Sequence, residues 1–295
     1  SRLGYLASPA DLARADRGAD RYFLPPHLAV LNEELMEVGW RDARKDGGAR
    51  LRVHMPFGHG KTLLGSNYFP AWLLLHKPDL RIGLVGYNEG FAAKQGGEVR
   101  DIIERWGKDL GISLREDSSA KDEWRIEGRD GGMVCRGVGS GMTGRPIDVF
   151  LIDDLIRDHA QALSPTIMES HDEWYKTTVE GRAKNYTSII FITTRWSKND
   201  LPGRIEARAR ITGEKWKVVK FRALAAEGDS LGRRVGAALW PSEMSAEELR
   251  RKRDSVGRWF SACWQQEPED EEGAYLTPRR WPLYTDLGDA YSVPM

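Results

Sequence analysis

The sequence predicts an α/β fold: a central, mostly parallel sheet flanked by helices, with a small C-terminal subdomain appended. Three observations carry this expectation. Short, mostly apolar segments recur at 51–55, 81–86, 149–154 and 188–193, and such segments read as strands buried on both faces. Helical periodicity fills the intervals between them, as a parallel sheet requires. Beyond Ala225 the character changes to short, polar, turn-rich segments. The expected division is therefore a core over 1–225 and a C-terminal subdomain and linker over 226–295.

The elements follow in order. Residues 1–26 are polar and rich in Arg and Asp, ending at Leu24-Pro25-Pro26. The prolines open a helix over 27–40, with Leu28, Leu31, Leu35 and Val38 on one face. Asp46-Gly47-Gly48 is a turn into the first strand, 51–55. A loop, a helix over 62–76, a turn at Pro78-Asp79, a strand over 81–86 and a long helix over 89–106 come next. Trp124 to Glu127 and Met133 to Val138 flank Gly128-Arg129-Asp130-Gly131-Gly132, which reads as a β-hairpin. A glycine-rich loop over 139–145 leads to the acidic strand, then a helix over 165–179, a strand over 188–193 and a strand over 216–221. Ser245-Ala246-Glu247-Glu248 is a capping box that opens a short helix. Its last turn, Arg250-Arg251-Lys252-Arg253, reads as a solvated face favoured by the helix dipole before it reads as a DNA contact. Glu267 to Glu272 reads as a linker.

With 295 residues and 40% apolar content the chain can bury a sizeable core. Lys+Arg and Asp+Glu both number 44, so no global basic field announces a nucleic-acid binder, and any such surface must be local. Cys135 and Cys263 lie in no metal-ligand spacing and fit a reducing compartment. No apolar run approaches the ~18 residues needed to span a bilayer.

The chemistry concentrates at two places. Arg52-Val53-His54-Met55-Pro56-Phe57-Gly58-His59-Gly60-Lys61-Thr62 takes a strand through a glycine-containing loop into a helix. That context suits a phosphate-binding P-loop: Gly58, His59 and Gly60 offer backbone N–H groups, Lys61 reaches the β/γ-phosphates, and Thr62 faces a metal. Downstream, Val149-Phe150-Leu151-Ile152-Asp153-Asp154 ends a strand in two carboxylates, suited to a Mg²⁺ ligand and a water-orienting base. Each segment alone has a bland reading, an ordinary strand-to-helix turn or an acid-capped strand exit. Their order and spacing point to nucleotide hydrolysis. In-line attack also needs a cation for the charge that develops, and Arg145 is the candidate, with a solvated loop arginine as its alternative. Thr193-Thr194 at a strand end could sense the γ-phosphate, although β-branched residues are ordinary there.

At this point the chain resembles the ATPase domain of large terminase subunits, the DNA-packaging motors of tailed bacteriophages. The resemblance runs from about Tyr22 to Tyr284. Its carriers are Leu24-Pro25-Pro26-His27-Leu28, the Met55 to Thr62 loop, Thr143-Gly144-Arg145, Leu151-Ile152-Asp153-Asp154 and Thr193-Thr194-Arg195-Trp196. Asp200-Leu201-Pro202-Gly203-Arg204, Leu239-Trp240-Pro241, Gln265-Gln266-Glu267-Pro268 and Glu271-Glu272-Gly273 complete the ordered set. The resemblance implies a P-loop NTPase of the ASCE type using ATP and Mg²⁺. Lys61 and Thr62 would be the Walker A lysine and hydroxyl, Asp153 the Walker B metal residue and Asp154 the base, where many related motors carry Glu. Arg145 would be an arginine finger acting in trans, Thr193 and Thr194 the coupling motif, and Tyr22 and His27 would flank the adenine. Met55 stands where the standard pattern has glycine, and Phe57 where many members carry an arginine. The implied partners are double-stranded DNA, the portal protein and the small terminase subunit. The implied assembly is a homo-oligomeric ring on the procapsid, in the cytoplasm of the infected bacterial cell and with no membrane, and the isolated chain is allowed to be a monomer. The carboxylate cluster of the family's nuclease is not expected here, because Asp286 and Asp289 alone cannot build it. The rival expectations are a helicase-like nucleic-acid-remodelling ATPase and a catalytically inert nucleotide-binding assembly module.

Overall fold

A seven-stranded sheet organises the chain in the computed structural model, which describes residues 4–117, 120–142 and 146–269. The strands are β1 (Arg50–His54), β2 (Arg81–Gly86), β3 (Glu123–Arg125), β4 (Gly132–Gly137), β5 (Val149–Asp153), β6 (Ser188–Thr193) and β7 (Lys217–Lys220). Their spatial order is β3-β4-β2-β5-β6-β1-β7. Every pairing is parallel except β3 with β4, the hairpin read from the glycine-rich turn. Each expected strand is present, with ends within a residue or two except in the hairpin, whose arms are shorter at β3.

Period-2 alternation explains why the sheet is covered on both faces. Leu151, Ile190 and Ile192 join Val53, Leu84 and the helix residues Leu28, Leu31, Leu35, Phe69 and Trp72 in one core. Their strand neighbours Phe150, Ile152, Ile189 and Phe191 point the other way, into a second core with Trp174, Tyr175, Leu201 and Ile205. A third, smaller core gathers Ala223, Leu224, Ala238, Leu249 and Phe260.

Three helical features depart from the sequence expectation. The polar N-terminus holds a helix, Pro9–Arg17, whose cap Ser8 accepts from the Asp11 N–H. The helix after the P-loop opens as a π-helical stretch, Leu63–Tyr68, before turning α-helical over Phe69–His76. Within the π-helical stretch Gly65 packs directly on β6, where a Cβ would lie 2.3 Å from Ile192 Cδ1. The segment after β6 forms the helix Leu201–Thr212, capped by Asp200 through the Gly203 N–H. The capping-box helix Ala246–Val256 is present with both reciprocal hydrogen bonds.

The topology sets the site. β6 lies between β1, which feeds the P-loop, and β5, which carries the acids. This order brings the carboxyl ends of β1, β6 and β5 side by side, where ligands of parallel sheets bind.

Candidate nucleotide-binding and hydrolysis site

The loop between β1 and its following helix is built by residues that can accept its geometry. Gly58 and Gly60 have φ of +70° and +83°, the left-handed region that favours glycine. Gly60 is doubly constrained, since a Cβ there would lie 2.8 Å from Leu28 Cδ1. His59 is buried, and its ring Nδ1 donates to the Phe57 carbonyl at 2.7 Å, closing the loop on itself. His27 is fully buried and its Nε2 donates to the His59 carbonyl at 3.1 Å, so it braces the loop from below. Burial holds the His27 pKa down at about 4, keeping the ring neutral. Tyr22, also buried, packs edge-on to Tyr68, and its hydroxyl has no hydrogen-bond partner among the described residues.

Lys61 is the centre of the arrangement. Its Nζ lies 2.8 Å from Asp154 Oδ2 and donates to Thr194 Oγ1 at 2.5 Å. The Thr194 hydroxyl in turn donates to the Met55 carbonyl at 3.0 Å, tying the end of β6 to the P-loop. Asp154 receives a second restraint, since its Oδ1 accepts the Thr194 N–H at 2.7 Å. Its φ of +39° is rare for a non-glycine residue, so the backbone itself is turned to aim this carboxylate.

Asp153 is wholly buried one residue earlier. It accepts from Ser66 Oγ at 2.7 Å and from Thr62 Oγ1 at 3.3 Å. Burial, reinforced by the neighbouring Asp154 charge, pushes its pKa up, while Lys61 and the two hydroxyls oppose that rise. A buried carboxylate with a raised pKa beside a hydroxyl oxygen is a hard-oxygen donor set that a divalent cation would relieve, so the residues fit Mg²⁺. Among the described residues there is no group of three or more His, Cys, Asp or Glu side chains that could hold a metal ion.

Thr193 and Thr194 divide their work. Thr194 faces Lys61 and Asp154, whereas Thr193 faces the other way, its hydroxyl 3.4 Å from His54 Nδ1. Phe57, the loop position without arginine, places its ring 5.3 Å from Lys61 Nζ and packs against Trp196 and Trp264. Arg145, with Thr143 and Gly144, lies outside the described residues, as do Glu271, Glu272, Gly273, Tyr284, Asp286 and Asp289.

Sequence reasoning missed Ser66 and Gln266. Ser66 sits four residues after Thr62, a spacing that puts both hydroxyls on one helix face, and this was the available signal. Gln266 stands in the Gln265-Gln266-Glu267-Pro268 motif, but nothing in the sequence assigns it a role at the site: its side chain meets the Arg195 N–H only through the fold.

No family model matches the chain, and no curated protein matches it. Among solved structures it is similar to the bacteriophage HK97 large terminase, at 14% identity and a TM-score of 0.49, over 75% of this chain and 47% of that one. It is also similar to the large terminase of a thermophilic bacteriophage in complex with ADP, at 13% identity and a TM-score of 0.47, over 79% of this chain and 53% of that one. A third likeness is to the large terminase ATPase domain of Thermus phage P74-26, at 12% identity and a TM-score of 0.43, over 78% of this chain and 90% of that one. The chain spans about half the length of the first two proteins.

Proposed function

We propose that this chain is an ATP-hydrolysing motor domain of a viral DNA-packaging terminase, driving double-stranded DNA into a procapsid. One observation carries the ATPase part. A P-loop lysine, a strand-end Asp-Asp pair and the Thr194 amide converge at the carboxyl ends of three adjacent parallel strands. The terminase part rests on the ordered motif set from Leu24 to Pro268.

Lys61 and the loop N–H groups would clamp the β/γ-phosphates, Lys61 exchanging its contact with Asp154 for the nucleotide. Asp153 and Thr62 would hold Mg²⁺, which supplies charge neutralisation at the phosphates when bound. Asp154 would orient the attacking water, with the Thr194 N–H and the left-handed backbone fixing its aim despite the short side chain. Arg145 would supply the cation for the transition state from a neighbouring subunit. The core over 1–225 would hold this chemistry, and the C-terminal subdomain over 226–295 would lead toward a nuclease half. The portal, the small terminase subunit and a ring on the procapsid, in the cytoplasm of the infected cell, are part of the same proposal.

The test is Mg²⁺–ATP binding and turnover by the wild-type chain and by Lys61→Ala, with and without double-stranded DNA. Binding and turnover lost together in Lys61→Ala support the reading. A wild type that binds no nucleotide sinks it.

A further inference from the structure

We infer that Gln266 is a positioning residue for the reaction, acting through the peptide that aims Asp154. The inference rests on the hydrolytic reading above.

Three observations converge on this residue. The first is conformational: Gln266 has a φ of +58° and is not glycine. Glycine would take that conformation freely, so the side chain is what the position requires. The second is burial: the residue is 2% exposed, between the half-buried Gln265 and the exposed Glu267. The third is connectivity. Gln266 Oε1 accepts the Arg195 N–H at 2.9 Å, and Nε2 donates to the Cys263 carbonyl at 2.5 Å.

The Arg195 amide is the next one along from the Thr194 amide that holds Asp154 Oδ1. Two successive N–H groups thus leave the end of β6, one spent on the carboxylate and the other on Gln266. Fixing the second fixes the plane of the 194–195 peptide, and with it the turn that presents Thr194. Without an acceptor at 266 a buried N–H is left unpaired, the peptide is free to rotate, and Asp154 loses its aim while Lys61 and the P-loop stay intact. The flanking residues have different duties. Gln265 makes a reciprocal pair with the Leu224 backbone, both bonds at 2.9 Å, and Glu267 pairs with Lys220 and Arg222. Those contacts staple the subdomain to the sheet and reach no atom of the site.

The experiment compares Gln266→Met, Gln266→Glu and Gln265→Met in the full chain, measuring fold by circular dichroism, Mg²⁺–ATP affinity and kcat. Gln266→Met, similar in length but without the acceptor, is expected to keep nucleotide affinity within about threefold and lose kcat by tenfold or more. Gln266→Glu reproduces both hydrogen bonds only when its carboxyl is protonated. Its kcat relative to wild type is therefore expected to rise as pH falls, whereas the Gln266→Met ratio stays flat. Gln265→Met is expected to lose thermal stability with kcat per folded molecule unchanged. A folded Gln266→Met with wild-type kcat overturns the inference, as does a Gln266→Glu ratio that is independent of pH. A Gln266→Met variant whose loss lies wholly in nucleotide affinity, with kcat unchanged, also overturns it. A wild type that binds no nucleotide overturns it together with the hydrolytic reading, and the affinity measurement tells that case apart.

Discussion

At the scale of single residues the site is a set of mutual restraints, and Asp154 carries the most. Both of its oxygens are engaged, by the Thr194 N–H and by Lys61, so its charge is oriented before any substrate arrives. Asp154→Asn keeps the shape and removes the base, so turnover is expected to fall by ~10²–10⁴. Nucleotide binding should hold or tighten, because Lys61 loses its carboxylate partner. Single-turnover hydrolysis beside a fluorescent-nucleotide titration checks both halves, and turnover within tenfold of wild type would remove Asp154 from the role. The residue types of this site were legible in the sequence because phosphate and metal chemistry demand them at those strand ends. Their pairing was not, since Lys61 and Thr194 meet through β-sheet neighbours 133 residues apart. Burial produces a second effect at His171, which lines a small cavity with Thr193, Thr194 and Asp200. It is buried, its Nδ1 has no hydrogen-bond partner among the described residues, and its pKa is lowered to about 4. The unfolded chain binds this proton from about pH 6.5 downward and the folded chain does not, so stability present above pH 6.5 is lost as pH falls toward 4. The shift corresponds to roughly 3 kcal/mol at the acid end. His171→Gln should therefore gain on wild type by ~2–3 kcal/mol between pH 7 and pH 4 in urea unfolding, and a constant difference would refute the assignment.

At the scale of elements the segment after β6 is the clearest lesson. Asp200 caps the Leu201–Thr212 helix through Gly203 N–H, accepts the Trp196 N–H at 3.0 Å, and pairs with Arg195 at 2.9 Å. Both side chains of that pair are buried, at 8% and 2% exposure, so removing one leaves the other charge without a partner. Asp200→Ala is expected to cost about 3–5 kcal/mol, several times an ordinary cap, and a loss under 1 kcal/mol in urea unfolding would show that the pair relaxes into water. The signal for this helix stood in the sequence as Asp200-Leu201-Pro202, a cap with proline in the first turn, yet the following glycine and scattered arginines masked the periodicity. Ser8-Pro9 announced the Pro9–Arg17 helix in the same way within a segment whose charge suggested a polar arm. Strands were read more faithfully than helices because most of their residues are apolar and buried on both faces, although β1 also buries Arg52 and His54. The π-helical opening at Leu63–Tyr68 had no sequence signature, and it contains Gly65 seated on Ile192 and Ser66 bonded to Asp153, both tertiary facts.

At the scale of the whole molecule the question is which cation meets the charge that builds up during hydrolysis. Lys61 is paired with Asp154 and is the proposed clamp for the phosphates. Arg195, the arginine next along the chain from Thr194, is committed to Asp200 and to the Ser197 carbonyl, so it is not free to swing into the site. For the proposed motor the candidate is Arg145, four residues before β5 in the sequence. If it acts in trans, an isolated subunit is incomplete and its specific activity should rise with protein concentration. Arg145→Ala alone should lose ~10³–10⁵ in turnover, the range an arginine finger supplies. Mixing decides between cis and trans. An Arg145→Ala subunit keeps Asp154 and lacks the finger, while an Asp154→Asn subunit keeps the finger and lacks the base. In a ring, pairs of the right order each contain one complete site, so the mixture should recover a substantial fraction of wild-type turnover at concentrations where either variant alone is silent. If Arg145 serves its own subunit, every site in the mixture lacks either the finger or the base, and no recovery occurs at any ratio.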